Sequence, residues 1–251
     1  MEQVIEGLVQ GLTEFLPISS SGHVVFLEKI RGYSSVNLAQ LQVALHMGTL
    51  LSILAFYFAD LKSLIVDFSK NRKTIFHIMI GTIPLLFVYF FFYDFFKNIL
   101  DNSLLSFSVA SRCMFITAFV LLMTKFLKLD QNKKLTYRIV LVIGCMQCLA
   151  IFPGISRSGI TICSALILGV SSREAAKFSF FLAIPAILGA SIIEFGEVLK
   201  DGSSFPYIAF FTSFIVGYIS LRLLIFIAYS DKIWIFSIYC FAIGLISTFL
   251  L

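Results

Sequence analysis

Charged residues are scarce in this sequence. Asp, Glu, Lys and Arg make up 13% of its 251 residues, whereas hydrophobic residues make up 59%. Soluble domains carry about 25% charged and about 45–50% apolar residues, so the shortage of charge excludes a soluble globular protein. Because a membrane-spanning helix needs about 20 mostly apolar residues, a chain of this length has room for roughly six or seven spans.

Cysteine is also sparse, and its five occurrences lie in apolar stretches. Cys145 and Cys148 form a CxxC pair, but no second ligand pair accompanies them, so zinc or redox chemistry is not indicated. The net charge of +5 is explained by basic residues in cytoplasmic loops. We therefore expect no nucleic-acid partner.

Long apolar segments are what the sequence has in abundance. Those that are predicted to be transmembrane helices cover residues 42–60, 74–93, 104–127, 174–195, 207–229 and 232–251. Two further apolar segments, residues 1–27 and 139–168, are interrupted by Pro, Ser and Gly. Because proline ends a helix and irregular backbone at membrane depth must be shielded from lipid, we expect each interrupted segment to form a re-entrant helix hairpin.

The order of these segments indicates an internal repeat. Each half, approximately residues 1–127 and 138–251, has one broken hairpin followed by three spans. Three is an odd number, so the second half is upside down relative to the first, and the two hairpins can meet near the midplane as a binding site. The predicted fold is a single all-α polytopic membrane domain, residues 1–251. It has six transmembrane helices plus two re-entrant helix hairpins in an inverted-topology repeat.

Basic residues in the loops predict the orientation. We name the membrane face at which the first hairpin begins side A, and the opposite face side B. Side A carries four basic residues, Lys29, Arg31, Lys97 and Lys200, and side B carries twelve, Lys62, Lys70, Arg72, Lys73, Lys125, Lys128, Lys133, Lys134, Arg138, Arg173, Lys177 and Lys232. Because cytoplasmic loops are enriched in Lys and Arg, side B is predicted to be cytoplasmic and the first hairpin to lie toward the outer face.

Ionisable side chains within apolar segments are the candidates for function, because they are costly there. Glu14, His23 and Arg157 lie in or beside the two breaks, among several serines. Arginine binds phosphate oxygens through its planar fork, and a helix that restarts after a break offers N–H groups to an anion. Serine is a nucleophile and histidine a proton carrier. We therefore expect a phosphate-bearing substrate with an apolar tail.

Structural explanations remain open for several of these polar residues. Serines at a helix break often satisfy carbonyl groups that the break frees. His46 and His77 are better explained as interior polar groups, and Arg112 and Arg222 receive no role. What favours function is that Ser, Glu, His and Arg occur together in two matched breaks.

Two motifs in the breaks resemble those of a known family. They are Gln-Gly-Leu-Thr-Glu-Phe-Leu-Pro-Ile-Ser-Ser-Ser-Gly-His at residues 10–23 and Pro-Gly-Ile-Ser-Arg-Ser-Gly at residues 153–159, with further matches at residues 46–49, 81–84 and 173–180. On these motifs, which run through nearly the whole chain, the sequence resembles the undecaprenyl-diphosphate phosphatases, also called bacitracin-resistance proteins.

This resemblance implies a function as well as a fold. The family fold has six spans and two hairpins in an inverted repeat, as predicted above. The implied reaction is hydrolysis of undecaprenyl diphosphate to undecaprenyl phosphate and inorganic phosphate at the outer face of the bacterial plasma membrane. It recycles the lipid carrier for peptidoglycan and other envelope polymers. A polyprenyl-phosphate transporter is the alternative, because inverted repeats are typical of transporters. The oligomeric state stays open, with a homodimer as one alternative.

The resemblance also implies the roles of individual residues. Those expected to be catalytic are Glu14, Ser20, His23 and Arg157, and those expected to contact substrate are Gln10, Ser19, Ser21, Ser156 and Ser158. A divalent cation, Mg²⁺ or Ca²⁺, is expected at Glu14. Many family members have glutamate where this chain has Gln10, so a second carboxylate would have to come from Glu6. His23, oriented by Glu14, is predicted to be the general base for attack by Ser20 or by water.

Overall fold

The computed structural model describes residues 1–31, 38–126, 133–201 and 205–250. Within these ranges the chain is helical and contains no β-strand. The α-helices are α1 (Glu2–Phe15), α2 (Ser20–Arg31), α3 (Leu38–Phe56), α4 (Phe58–Val66), α5 (Phe68–Asp101), α6 (Ser103–Phe126), α7 (Tyr137–Gln147), α8 (Arg157–Ile167), α9 (Ser172–Asp201), α10 (Tyr207–Tyr229) and α11 (Phe236–Phe249). Two 3₁₀ turns cover Cys148–Ile151 and Ile233–Ile235. Lys128 and residue 127, the predicted end of the first repeat, lie outside the described residues.

Both predicted helix breaks are present. The first separates α1 from α2 around Pro17, and the second separates α7 from α8 around Pro153. The two helices on either side of each break contact each other, so the chain turns back on itself at both places. The prediction of two broken helical segments is confirmed.

Most of the predicted spans are continuous helices. Among the described residues, α5, α6, α9 and α10 each contain a stretch long and apolar enough to cross a membrane. The α10 helix has the predicted bounds of residues 207–229. The chain is therefore a multi-pass helical membrane protein.

Two predicted spans differ from expectation. Residues 42–60 were expected to form one transmembrane helix, but α3 and α4 divide this segment and meet at an angle of 73°. In the segment 232–251 the apolar helix covers Ile233–Phe249, including a 3₁₀ turn at its start, and it is shorter than the other spans. Four helices in the described part can cross a membrane, or five if the bent pair is one span. Six spans therefore remain a prediction.

The helices expose apolar side chains and bury polar ones. Phe90 and Phe91 of α5 and Phe226 of α10 are 78%, 71% and 71% exposed, whereas Ser213 and Ser220 of α10 are buried. A soluble protein rarely exposes so much apolar surface. Lipid tails solvate such a surface, and small polar residues then mediate contacts between helices.

The broken helices pack closely against spans of the opposite half of the chain. The α1 helix lies along α10, and α7 lies along α5. Glycine permits both contacts. A Cβ atom at Gly11 would lie 2.8 Å from Cβ of Val216, and one at Gly144 would lie 2.5 Å from the Gly81 carbonyl oxygen. Small residues thus let the backbones of facing helices approach.

Candidate active site

Proline and serine shape the first break. The α1 helix ends at Phe15, and Leu16 is extended, as expected for a residue that precedes proline. Ser19 adopts a left-handed backbone conformation with φ of 66°, which is uncommon for a residue with a side chain. Its hydroxyl oxygen accepts a hydrogen bond from the Gly22 N–H at 3.3 Å. Ser19 therefore caps the N-terminus of α2.

The second break is built in a similar way. The Ser156 hydroxyl oxygen accepts a hydrogen bond from the Gly159 N–H at 3.1 Å and caps α8. Thr117 of α6 supports the turn, since its hydroxyl donates to the Gly154 carbonyl at 2.8 Å and accepts from the Ser156 N–H at 3.1 Å. The turn is thus fixed to a neighbouring helix before α8 begins.

The two breaks place equivalent residues in equivalent positions. In each break, a serine hydroxyl accepts a hydrogen bond from the N–H of the glycine three residues later and so caps the helix. The same hydroxyl lies near the hydroxyl of the serine two residues later. The hydroxyl oxygens are 3.3 Å apart for Ser19 and Ser21 and 3.2 Å apart for Ser156 and Ser158. The residues enclosed by the two pairs are Ser20 and Arg157. Each is the first residue of its helix.

A change at Gly154 should destabilise the second break. Gly154 has φ of +92°, and a Cβ atom there would lie 2.2 Å from the Ala110 carbonyl oxygen. Both the strained backbone and the clash oppose a side chain. We expect Gly154→Ala to lower the free energy of unfolding by roughly 1–3 kcal/mol, measured as a lower melting temperature in detergent. Gly189→Ala is the matched control, because nothing lies within 4 Å of a Cβ atom there. An equal effect of both variants would contradict the packing described.

Glu14 joins the two breaks. One of its carboxylate oxygens accepts a hydrogen bond from Nη2 of Arg157 at 2.7 Å, and the other accepts from the Ser20 hydroxyl at 2.6 Å. Gln10 donates to the same oxygen as Ser20 at 3.1 Å. The Arg157 and Glu14 side chains are only 15% and 8% exposed. The pair therefore holds a serine hydroxyl beside a guanidinium group in a nearly buried setting.

These residues line a cavity of about 280 Å³. The breaks contribute Glu14, Ser20 and Arg157 together with Ser19, Ser21 and Ser156, whereas α5 and α9 contribute mainly apolar side chains such as Leu86 and Ile187. Nη1 of Arg157 is buried and has no hydrogen-bond partner among the described residues. Because buried donors are nearly always paired, this nitrogen indicates that a ligand with acceptor atoms belongs in the cavity.

The cavity wall also contains residues to which the sequence interpretation gave no role. Gln147 is fully buried, lines the cavity, and neither atom of its amide has a hydrogen-bond partner in the described part of the chain. Its position before Pro153 parallels that of Gln10 before Pro17, and this parallel was the available signal. His46 also lines the cavity, although the sequence favoured a purely structural role for it.

His23 is not placed as predicted. Its Nδ1 donates to the Ser19 carbonyl at 2.7 Å, which leaves Nε2 of the neutral ring to accept from the Tyr239 hydroxyl at 2.8 Å. Glu14 contacts Ser20 and Arg157 instead, so the expectation that Glu14 orients His23 does not match the structure. His23 holds the turn that presents Ser20. Tyr239 could not be predicted as its partner, because the two residues are 216 positions apart.

Ser158 and Gln10 support the cavity from outside its wall. The Ser158 hydroxyl donates to the Leu16 carbonyl at 3.4 Å and thereby links the second break to the first. Gln10 is buried and reaches the site only through Glu14. Among the predicted site residues, these two and His23 do not line the cavity. The remaining six do.

The donor set limits how a cation could bind. No group of three or more His, Cys, Asp or Glu side chains that could hold a metal ion occurs within the described ranges. Glu6 lies near Glu28, whose carboxyl group it affects electrostatically. Among the described residues that line this cavity, Glu14 alone carries a carboxylate. Since Mg²⁺ is often held by one or two carboxylates together with substrate phosphates, Glu14 suits a cation that arrives with a diphosphate, but not one held by protein ligands alone.

The helices define a multi-pass membrane protein. Its cavity lies between two helix breaks, where a carboxylate is hydrogen-bonded to an arginine and to a serine hydroxyl. The chain belongs to the family of bacitracin resistance protein BacA, which it matches over residues 3–246.

Proteins from three organisms are similar to this chain over nearly its whole length, and each is named undecaprenyl-diphosphatase. The protein of Protochlamydia amoebophila is 38% identical, over 96% of this chain and 95% of its own length. That of Thermosipho africanus is 36% identical over 99% of both chains. That of Halothermothrix orenii is 34% identical, over 95% of this chain and 93% of its own.

Proposed function

We propose that this protein is a membrane phosphatase that hydrolyses undecaprenyl diphosphate to undecaprenyl phosphate and inorganic phosphate. The observation that carries the proposal is Arg157. Its guanidinium group is held by Glu14 beside the Ser20 hydroxyl, and its second terminal nitrogen is buried without a partner. The family membership and the names of the similar proteins support the same reaction.

Hydrogen-bond donors at the two breaks bind the diphosphate. Arg157 can donate from Nη1 to a phosphate oxygen while Nη2 remains on Glu14. The N-termini of α2 and α8 add their positive dipole ends and the backbone N–H groups of the first helical turn. Apolar side chains of α5 and α9 in the cavity wall, among them Leu85 and Ile187, suit the first part of the lipid tail. The anion and the tail are thus bound by different sides of one cavity.

The contact between Ser20 and Glu14 provides a route for the first chemical step. Ser20 Oγ attacks the terminal phosphorus and forms a phosphoserine, while the bond from that phosphorus to the bridging oxygen breaks and undecaprenyl phosphate leaves. The Ser20 proton passes to Glu14 across their 2.6 Å hydrogen bond and is then lost to solvent. Charge on the transferring phosphoryl group is stabilised by Arg157.

Water completes the reaction. Its oxygen bonds to the phosphorus of the phosphoserine, and the bond between phosphorus and Ser20 Oγ breaks. Glu14 takes one proton from the water and returns it to Ser20 Oγ, and the other proton leaves with inorganic phosphate. Direct attack by water on the diphosphate is the alternative. In both cases His23 acts by holding the Ser19 carbonyl and so positions the turn that carries Ser20.

A divalent cation, Mg²⁺ or Ca²⁺, is part of the proposal. Glu14 would hold it, and it would neutralise charge on the diphosphate. We expect a chelator to lower phosphate release and added Mg²⁺ or Ca²⁺ to restore it. Glu14→Gln should itself lose most phosphate release, because the amide neither holds the cation nor accepts the Ser20 proton, so the response to chelator is read in the wild type. Full activity of the wild type in excess chelator would contradict the proposed cation.

The proposal extends to topology and location. We propose six spans and two re-entrant hairpins in an inverted repeat of residues 1–127 and 138–251. Equivalent helices of the two halves make equivalent contacts, since α1 packs on α10 and α7 packs on α5. This correspondence supports the repeat. The excess of basic residues on side B supports a cavity that opens toward the outer face of the bacterial plasma membrane. There the reaction would recycle the carrier for peptidoglycan and confer bacitracin resistance. A homodimer remains an alternative to a monomer.

Transport is the second candidate function, since an inverted repeat with a site between broken helices is typical of transporters. Detergent-solubilised protein separates the two, because a transporter has no compartment to fill in detergent. We expect purified protein to convert polyprenyl diphosphate to polyprenyl monophosphate and inorganic phosphate in equal amounts. Folded protein that binds the lipid but releases no phosphate would favour transport.

A further inference from the structure

A second cavity, of about 320 Å³, lies at the other end of two helices that line the first. Residues Lys73, Thr74 and His77 of α5 face it, whereas the first cavity begins at Thr82 of the same helix. Between the two cavities α5 and α9 are in close contact. A Cβ atom at Gly81 would lie 2.7 Å from a methyl carbon of Leu182. The second cavity is therefore separate from the first and lies toward side B.

His77 is the feature of this cavity that points to a ligand. It lines the cavity and is only 4% exposed, so the side chain is more than nine-tenths buried. Its Nε2 has no hydrogen-bond partner among the described residues. The ring is fixed by edge contacts with Tyr137 and Phe178, at centroid distances of 5.0 and 6.5 Å. A buried ring nitrogen is nearly always paired, so a group from outside the chain would complete it.

The charges around the cavity favour an anion. Its wall contains three lysines (Lys73, Lys134 and Lys177) and two acidic residues (Asp60 and Glu174). Lys177 and Asp60 form an ion pair at 2.5 Å and neutralise each other. The remaining cations, Lys73 and Lys134, outnumber Glu174. Two ammonium groups and one imidazole N–H are donors that suit a phosphate group, whereas no metal-binding group of three side chains is present in the described part.

We propose that this second cavity is a binding site for a phosphate group, with Lys73, Lys134 and Nε2 of His77 as its ligands. The ligand is either inorganic phosphate or the phosphomonoester headgroup of a lipid. The site is distinct from the cavity of Glu14 and Arg157, and it does not depend on the function proposed for that cavity.

Binding to full-length purified protein in detergent tests this site. Arg157→Lys serves as the background, because loss of the planar fork weakens phosphate binding in the first cavity while the positive charge beside buried Glu14 is kept. Two probes are titrated separately, inorganic phosphate and a short-chain polyprenyl monophosphate, with the uncharged polyprenol as the blank. Saturable binding of one or both phosphate probes is expected, and the probe that binds identifies the source of the phosphate. Absence of saturable binding by both would overturn the proposal.

Variants of the ligands place the binding in this cavity. In the same background, Lys134→Gln and His77→Phe should each weaken the affinity by about tenfold, the loss of one hydrogen bond to a charged group. Lys134 is exposed, so its substitution should not affect folding, and phenylalanine preserves the ring packing at His77. Lys133→Gln is the matched control, because Lys133 is exposed but does not line the cavity. Equal affinity of all three variants and the background would also overturn the proposal.

Discussion

Replacing Arg157 with alanine should slow phosphate release from polyprenyl diphosphate by about 10³-fold or more, the effect of removing an arginine that stabilises a phosphoryl-transfer transition state. Arg157 is the one cation that lines the first cavity in the described part of the chain. Its loss removes both the donor that faces the ligand and the partner of Glu14. The measurement is the initial rate of phosphate release by equal amounts of purified protein.

Folding must be separated from chemistry in this variant. Arg157→Ala leaves the Glu14 carboxylate, only 8% exposed, without its counter-ion, and loss of one partner of a buried pair costs about 3–5 kcal/mol. Arg157→Lys keeps the positive charge but loses the planar fork. It should remain folded and still lose most activity. Arg222→Ala is the control, since Arg222 contacts Tyr218 away from the cavity and should retain full activity. A fully active Arg157→Lys variant would show that charge alone suffices at this position.

Replacing Ser20 with alanine should also lower the rate by about 10³-fold or more, because removal of a nucleophile leaves only the effects of binding and electrostatics. The side chain is small and begins α2, so the fold should be kept. Ser247→Ala is the control, because Ser247 is buried in α11 and its hydroxyl donates only to the Gly244 carbonyl. Acid quenching during turnover should trap a phosphoserine at Ser20 of the wild type. Substantial activity of Ser20→Ala would instead indicate attack by water.

The two helix breaks could be predicted from sequence because proline and glycine act locally. Pro17 ends α1 and Pro153 precedes α8 for reasons contained in the residue itself. The bend between α3 and α4 and the short C-terminal helix were missed. Both segments are mostly apolar and contain no proline, and composition does not specify where such a helix bends. Length and hydropathy therefore predicted the membrane class, whereas the number of six spans stays a prediction.

Individual contacts in the site depended on tertiary structure. The sequence placed Glu14, Ser20 and Arg157 at the two breaks. It did not predict which of these side chains would be in contact. Glu14 was expected to orient His23, yet it accepts hydrogen bonds from Ser20 and Arg157, whereas His23 contacts the Ser19 carbonyl and Tyr239. The parallel between Gln10 and Gln147 was visible in sequence, but burial of an unpaired amide is a property of the folded chain.

Glu14, Ser20 and Arg157 together are proposed to cleave the terminal phosphate of a polyprenyl diphosphate. This cleavage is tested most directly with substrate labelled in the terminal phosphate, incubated with detergent-solubilised wild type and, in parallel, with Arg157→Ala. We predict that the wild type transfers the label to inorganic phosphate, at least about 10³ times faster than the variant. Label that stays on the lipid with folded wild-type protein, or equal release by both proteins, would contradict the account.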